Sequence, residues 1–221
     1  MNNKTQKRND IDIDDILAIP SEVATLQLPD PELLTYYKLL QERSFWIDTT
    51  VDQGVLELVK LIFKYNKEDE VNQIPVEERV PIKIFIYTHG GDGQACLSLV
   101  DAIKMSKTPV YTINTGIAMS AGAIILLAGH KRYCFKNSIA LIHSGSGTAQ
   151  GTYEQTAAQM KDYEHFIDIM KNFILENSKI DQKMYNKHKT SEWYIYAQEQ
   201  KDLGIVDDIL TSYDDLNNYL K

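Results

Sequence analysis

The sequence predicts an α/β fold with a mostly parallel sheet, on three observations. Apolar, β-rich runs at Ile82-Lys83-Ile84-Phe85-Ile86-Tyr87, Val110-Tyr111-Thr112-Ile113, Lys131 to Phe135 and Ile139 to Ile142 alternate with helical stretches. Turns carrying glycine lead from the first two runs into helices, as in strand–turn–helix units. A composition of 43% hydrophobic and 24% charged residues over 221 positions suits one domain with appendages.

Residues 1 to about 30 are polar and acidic, with Asp10-Ile11-Asp12-Ile13-Asp14-Asp15 and then Pro20, Pro29 and Pro31. They predict a flexible or partner-dependent arm, 1–35 in all, whose Ile11, Ile13, Ile16 and Ile19 can dock on a neighbour. The main domain is expected over 36–221. Leu33 to Gln41 reads as a short helix and Arg43 to Ile47 as a strand. Asp48 to Asp52 reads as a capping turn with Asp48 or Thr50 as N-cap. Val55, Leu58, Val59, Ile62 and Phe63 recur at helical spacing and predict a helix to about Tyr65. Charged residues and two prolines make 66–81 a loop.

Further on, Thr88-His89-Gly90-Gly91-Asp92-Gly93 forms a glycine loop before a helix at Leu97 to Met105. The segment Gly116-Ile117-Ala118-Met119-Ser120-Ala121-Gly122 joins a strand to a helix running to Ala128. Thr152 to Asn177 is a long helix with Tyr153, Ala157, Met160, Tyr163, Ile167, Met170 and Ile174 on one face. Met184 to Lys189 is helical or irregular, and Trp193 to Tyr196 is short and aromatic. A helix from Ala197 stops at Gly204, and Ile205 to Leu210 closes as a strand.

The net charge of −8 argues against nucleic acid or an anionic membrane as the main partner. Apolar runs stay short of a bilayer span, and the polar N-terminus lacks the apolar core of a secretory signal. Cys96 and Cys134 have no metal-type spacing and read as two free buried thiols. A cytoplasmic protein with no metal and no cofactor is expected.

Ser120 is the centre of the chemical reading. A serine at a strand-to-helix turn, walled by Gly and Ala, is an exposed nucleophile that a carbonyl can approach. The unpaired N–H groups of the helix start, at the positive end of its dipole, favour an oxyanion. The hydrolase elbow is built alike, although Ala118 replaces its first glycine. A buried structural serine is the alternative. Gly90-Gly91 opens a helix too, so the Gly91 N–H can point into the same crevice. A phosphate cradle is a weaker reading, because the third spaced glycine and the Lys-Ser/Thr are missing. His143 ends an apolar strand, and the polar pair Ser191-Glu192 precedes Trp193-Tyr194.

With these residues in view, the sequence resembles the proteolytic subunit of the ATP-dependent Clp protease. Gly116 to Ala123 resembles its nucleophile segment, and Asn137-Ser138-Ile139-Ala140-Leu141-Ile142-His143 its Asn-Ser-x-x-x-x-His segment. Ala128 to Tyr133 resembles its Ala-Gly-x-Lys-Gly-Lys-Arg stretch, shortened by two residues. Ala149-Gln150-Gly151 matches its Gln-Gly, and Leu203-Gly204-Ile205-Val206-Asp207 its closing Gly-Leu-Val-Asp. Glu42-Arg43 with Asp48 to Asp52 resembles its first strand and turn. The likeness runs in order over about residues 40 to 210.

The resemblance implies a ClpP/crotonase-like fold of repeated β-β-α units with a protruding handle helix at about 152–177. It implies a serine endopeptidase with Ser120 as nucleophile and His143 as base. Glu192 stands where the family usually has Asp, with Asp181 and Asp202 as alternatives and His89 as a remote candidate base. Backbone amides of Gly91 and Ala121 would form the oxyanion hole, and Gly90, Gly93, Ser144 and Gly145 would bind substrate. The family assembles as heptameric rings, two stacked into a closed chamber fed by an AAA+ ATPase that delivers unfolded polypeptides.

Thr88-His89 replaces the family's Ser-Pro, Gly145 its proline after the histidine, and the loop 66–81 is longer. These departures and the glutamate keep a second reading open, a catalytically impaired ring or scaffold subunit. A third is the acyl-CoA chemistry of the related enoyl-CoA hydratases, with Asp92 as the only fitting acid.

Overall fold

The computed structural model describes residues 30–220. The expectations for Asp10 to Asp15 and for Ile11, Ile13, Ile16 and Ile19 lie outside the described residues. The chain divides into two units, the first ending at Lys38 and the second beginning at Leu39. Helix α1 spans Pro31–Gln41, two residues earlier than expected. Asp30 accepts the Glu32 N–H at 2.9 Å, and Pro31 sits at the first helical position, where its missing N–H costs nothing.

In the second unit, the sheet takes β1 (Ser44–Ile47), β2 (Ile82–Thr88), β3 (Val110–Met119), β4 (Lys131–Phe135) and β7 (Asp208–Leu210) in the order β1-β2-β3-β4-β7. All neighbours in this path are parallel. Strand β5 (Ile139–Ile142) runs parallel to the far end of β3, and β6 (Trp193–Tyr196) pairs with β5 antiparallel. The expected α/β class with a mostly parallel sheet is therefore what the chain adopts.

On β2 the alternation is strict. Ile82, Ile84 and Ile86 are buried, while Lys83, Phe85 and Tyr87 are half-buried or exposed. The isoleucines enter the main core with Leu99 and Ile103 of α3 (Gly93–Met105) and residues of α4 (Ala121–Ala128). All 8 residues of α4 are buried, so this short helix is a core element. Each of its Ile and Leu side chains contributes about 2 kcal/mol through burial.

The first long helix, α2, spans Leu56–Val71. It is capped neither by Asp48 nor by Thr50. Asp52 accepts the Gly54 N–H at 2.7 Å and caps a 3-10 turn at Gln53–Val55 that leads into α2. The helix also runs past Tyr65, correcting the expected loop. Lys64–Glu68 and Lys67–Glu70 pairs line its outer face. Asp69, which reads in the sequence as one more solvated charge, is only 1% exposed. It takes a two-pronged ion pair from Arg43 at 2.6 and 2.8 Å and the Thr108 hydroxyl at 2.7 Å. The loop residue Arg43 is thereby tied to α2, with its guanidinium over the Tyr65 ring.

The hydrogen bonds from Arg43 hold the Asp69 carboxyl below its ordinary range, against the opposing effect of burial. A depressed folded-state pKa adds stability that is fully present above the unfolded value, about pH 4, and is lost as pH falls below it. Asp69→Asn is expected to cost about 3 kcal/mol at neutral pH by leaving Arg43 unpaired. In urea unfolding, the gap between wild type and variant should shrink below about pH 4. A gap independent of pH would contradict this account.

The remaining helices are α5 (Tyr153–Asn177), α6 (Gln182–His188), α7 (Ala197–Asp202) and α8 (Tyr213–Tyr219). Helix α5 starts at a capping box in which Thr152 and Gln155 satisfy each other's N–H groups. The closing strand is shorter than expected. Ile205 and Val206 turn their N–H groups to Gln200 O and stay outside the ladder. Helix α8 goes beyond the elements expected from the sequence, and Ser212 and Asp215 form a capping box at its start.

Candidate active site

Strand β3 ends at Met119 and α4 begins at Ala121, so Ser120 alone makes the turn. Its backbone has φ 54° and ψ −120°, a region that costs a residue with a side chain about 1–3 kcal/mol. Surrounding bonds hold it there. The Ser120 N–H donates to Leu141 O at 2.9 Å, and the Ser120 carbonyl accepts the Ala123 N–H at 3.0 Å and the Ile124 N–H at 3.3 Å. Strain stored at one hydroxyl-bearing residue is a mark of functional turns.

His143 follows β5, whose register against β3 pairs Met119 with Leu141. Chain positions 23 apart thus meet: His143 Nε2 lies 2.7 Å from Ser120 Oγ. Both side chains are half-buried at the rim of a cleft of about 600 Å³. Gly91, Gly93, Ala121, Ser144 and Gly145 line the same cleft. His89 is exposed and does not line it.

The glycine loop lies against the serine turn. Val51 bridges it, donating its N–H to Gly90 O at 2.9 Å and accepting the Asp92 N–H at 2.7 Å. Among the described residues, the Gly91 N–H has no hydrogen-bond partner. Ala121 is the first residue of α4, where the N–H has no partner within the helix. Gly90 is not at the cleft surface, as expected for a substrate contact, but buried behind Ser120. A Cβ there would come within 2.6 Å of Met119 O and 2.8 Å of Ser120 Cβ. Asp92 caps α3, accepting the Ala95 N–H at 2.8 Å.

Glu192 sits one step before β6. The pairing of Ile142 with Trp193, continued by one residue, sets Glu192 opposite His143. Its carboxylate is turned elsewhere, accepting the Tyr194 hydroxyl at 2.5 Å in an exposed position. That bond raises the Tyr194 pKa above its ordinary value. The alternatives are engaged too. Asp181 caps α6 through the Met184 N–H, and Asp202 accepts from Gln198. Both cysteines are free and buried, and burial pushes the Cys96 thiol up to about 12.

The far wall of the cleft is α5, which the sequence marks only as a helix with an apolar face. Met160, Tyr163, Ile167, Met170 and Ile174, which the sequence places on one helix face, line the cleft. Phe166 joins it with its ring against Gly93, where a Cβ would sit 2.2 Å from the ring edge. Periodicity identifies such a face but does not say what it covers. Among the described residues, no helix is long and apolar enough to cross a membrane.

Known proteins resemble this chain over most of its length. The family model described as Clp protease matches residues 32–213. The chain is similar to an ATP-dependent Clp protease proteolytic subunit of Cyanophora paradoxa, 29% identical over 181 residues, covering 80% of this chain and 89% of the relative. The corresponding subunit of Deinococcus radiodurans is 25% identical over 181 residues, covering 79% and 83%. A proteolytic subunit 2 of Treponema denticola is 32% identical over 138 residues, covering 62% and 69%. With a match spanning most of its length and an α/β fold to go with it, the chain belongs to the Clp protease family.

Proposed function

We propose that this chain is a serine endopeptidase that cleaves unfolded polypeptides inside a ring-shaped chamber. The 2.7 Å approach of His143 Nε2 to Ser120 Oγ carries the reading. In the reaction, His143 takes the Ser120 proton as the oxygen attacks a peptide carbonyl, then protonates the leaving amine. Water repeats the sequence on the acyl-enzyme. The developing oxyanion faces the N–H groups of Gly91 and Ala121, each worth about 3 kcal/mol of barrier. An imidazole that accepts through Nε2 carries its proton on Nδ1, which needs an acceptor. Glu192 is that acceptor, after a side-chain rotation that exchanges Tyr194 for His143.

An extended peptide would lie along the segment 144–147, beside Gly91 and the start of α3, pairing with that segment through its backbone. Such pairing reads shape and gives broad specificity, which suits a peptidase enclosed in a chamber. Helix α5 supports assembly by leaving Tyr153 and Ile169 exposed outside the cleft. A heptameric ring, two rings stacked, would bury this surface, and an AAA+ ATPase would feed it, as the relatives' name suggests.

The engagement of Glu192 with Tyr194 favours a second reading, a catalytically impaired scaffold subunit. Peptide hydrolysis alongside sedimentation separates the two. The proposal expects turnover by an assembly of seven or more chains, and a drop in kcat of about 10²- to 10⁴-fold in Glu192→Gln. An inert assembly would support the scaffold, and a monomer at micromolar concentration would exclude a chamber. A Glu192→Gln rate within about threefold of wild type would remove Glu192 from the mechanism.

A further inference from the structure

We infer that Tyr163 is a substrate-positioning residue whose hydroxyl binds the backbone of the peptide in the cleft. This rests on the peptidase reading of the cleft. The observation is an orphaned polar atom. Among the described residues, the Tyr163 hydroxyl oxygen is a side-chain atom buried from solvent with no hydrogen-bond partner. Such groups are rare in folded proteins and call for a reason, because a buried hydroxyl without a partner is destabilising.

Its position supplies the reason. Tyr163 stands on the α5 wall of the cleft that holds Ser120 and His143. Its hydroxyl lies 3.0 Å from where a Cβ on Gly145 would be, and its ring lies 3.2 Å from the same point on Gly147. These contacts put the phenol directly over the segment after His143, the run available for pairing with a peptide strand. Gly145 has φ +83°, a conformation side chains rarely adopt, so its bareness is dictated by the backbone as well as by the phenol.

A peptide entering this run brings carbonyl and N–H groups in alternation. One carbonyl accepting the Tyr163 O–H would satisfy the orphan and fix the register of the chain relative to Ser120. The ligand class is thus an extended peptide backbone, read without regard to side chain. The ring has to shift outward as the peptide enters, since it rests on the glycines. Phenylalanine at this position would keep the ring and lose only the hydrogen bond.

The test joins affinity to stability, because the two move in opposite directions only for a hydroxyl kept for a ligand. In the Ser120→Ala background, a fluorescein-labelled casein peptide is titrated against protein with Tyr163 and with Tyr163→Phe, by fluorescence anisotropy. The dissociation constant should rise about three- to tenfold on loss of the hydroxyl, the effect of one net hydrogen bond. In otherwise wild-type protein, KM should rise by a like factor with kcat unchanged. The melting temperature of Tyr163→Phe should be equal or higher, as an unsatisfied group has been removed. Equal peptide affinity in the two proteins, or a lower melting temperature without an affinity change, would overturn the inference. Failure of Ser120→Ala to bind the peptide at all would overturn it as well. Binding that depends on Tyr163 in a protein that hydrolyses nothing would keep the inference while refuting the peptidase reading.

Discussion

Replacing Ser120 by Ala is expected to lower kcat/KM for peptide hydrolysis by about 10⁴- to 10⁶-fold while leaving the fold intact. The side chain is half-buried and its hydroxyl bonds to His143, so its loss leaves only a small gap at the cleft rim. Stability should rise slightly if anything. Alanine at φ 54° bears the same backbone cost as serine, but one polar contact fewer has to be positioned. His143→Ala should give a similar loss. The double variant should be no worse than either single one, because the two groups act as one unit. Additive losses, each multiplying the other, would mean that the serine and the imidazole do separate tasks. Activity of Ser120→Ala within tenfold of wild type would end the nucleophile assignment.

Gly90→Ala has the second largest expected effect, and it acts through the backbone. The residue has φ +96°, and a methyl there would lie 2.6 Å from Met119 O, 2.8 Å from Ser120 Cβ and 3.0 Å from Ala121 N. Two of these atoms are main chain at the serine turn and cannot move alone. Strain at positive φ and the displaced turn together should cost about 2–4 kcal/mol, read as a lower urea midpoint. The activity should fall further than stability explains. A displacement of about 1 Å at the nucleophile is worth roughly 100-fold in rate. The comparison is made well below the midpoint, where the variant is folded. Full activity in folded Gly90→Ala would show that the glycine loop does not set the serine, and that Gly90 has some other reason to be small.

How much was legible follows from which forces act locally. The order of strands and helices from Ile82 to Ile142 was readable because β-branched runs and glycine turns are short-range signals. Ser120 and His143 were legible as candidates for the same reason: each ends an apolar strand. Their approach to 2.7 Å depends on the parallel pairing of β3 with β5, a long-range register that local pattern does not encode.

The misses have one physical character. The end of α2 was placed too early because Asn66 to Glu70 look like solvated charge, whereas Asp69 is held inside by Arg43 and Thr108. The last strand was overextended because Ile205 and Val206 are apolar, yet their burial comes from packing against the core outside the ladder. Nothing local in the sequence gives Tyr163 and Phe166 a part in the site, because a helix face states only that something covers it. Glu192 was readable as a carboxylate at the right place in the chain, but the direction in which it turns depends on the Tyr194 hydroxyl two residues on.

The claim beneath the whole account is that His143 activates Ser120. The most direct test is the mass of the intact protein after exposure to a fluorophosphonate, with the modified peptide located by tandem mass spectrometry. A phosphonyl adduct on Ser120 in wild type, absent from His143→Ala under the same exposure, is the predicted result. No adduct on Ser120, or one that forms equally fast without His143, would contradict it.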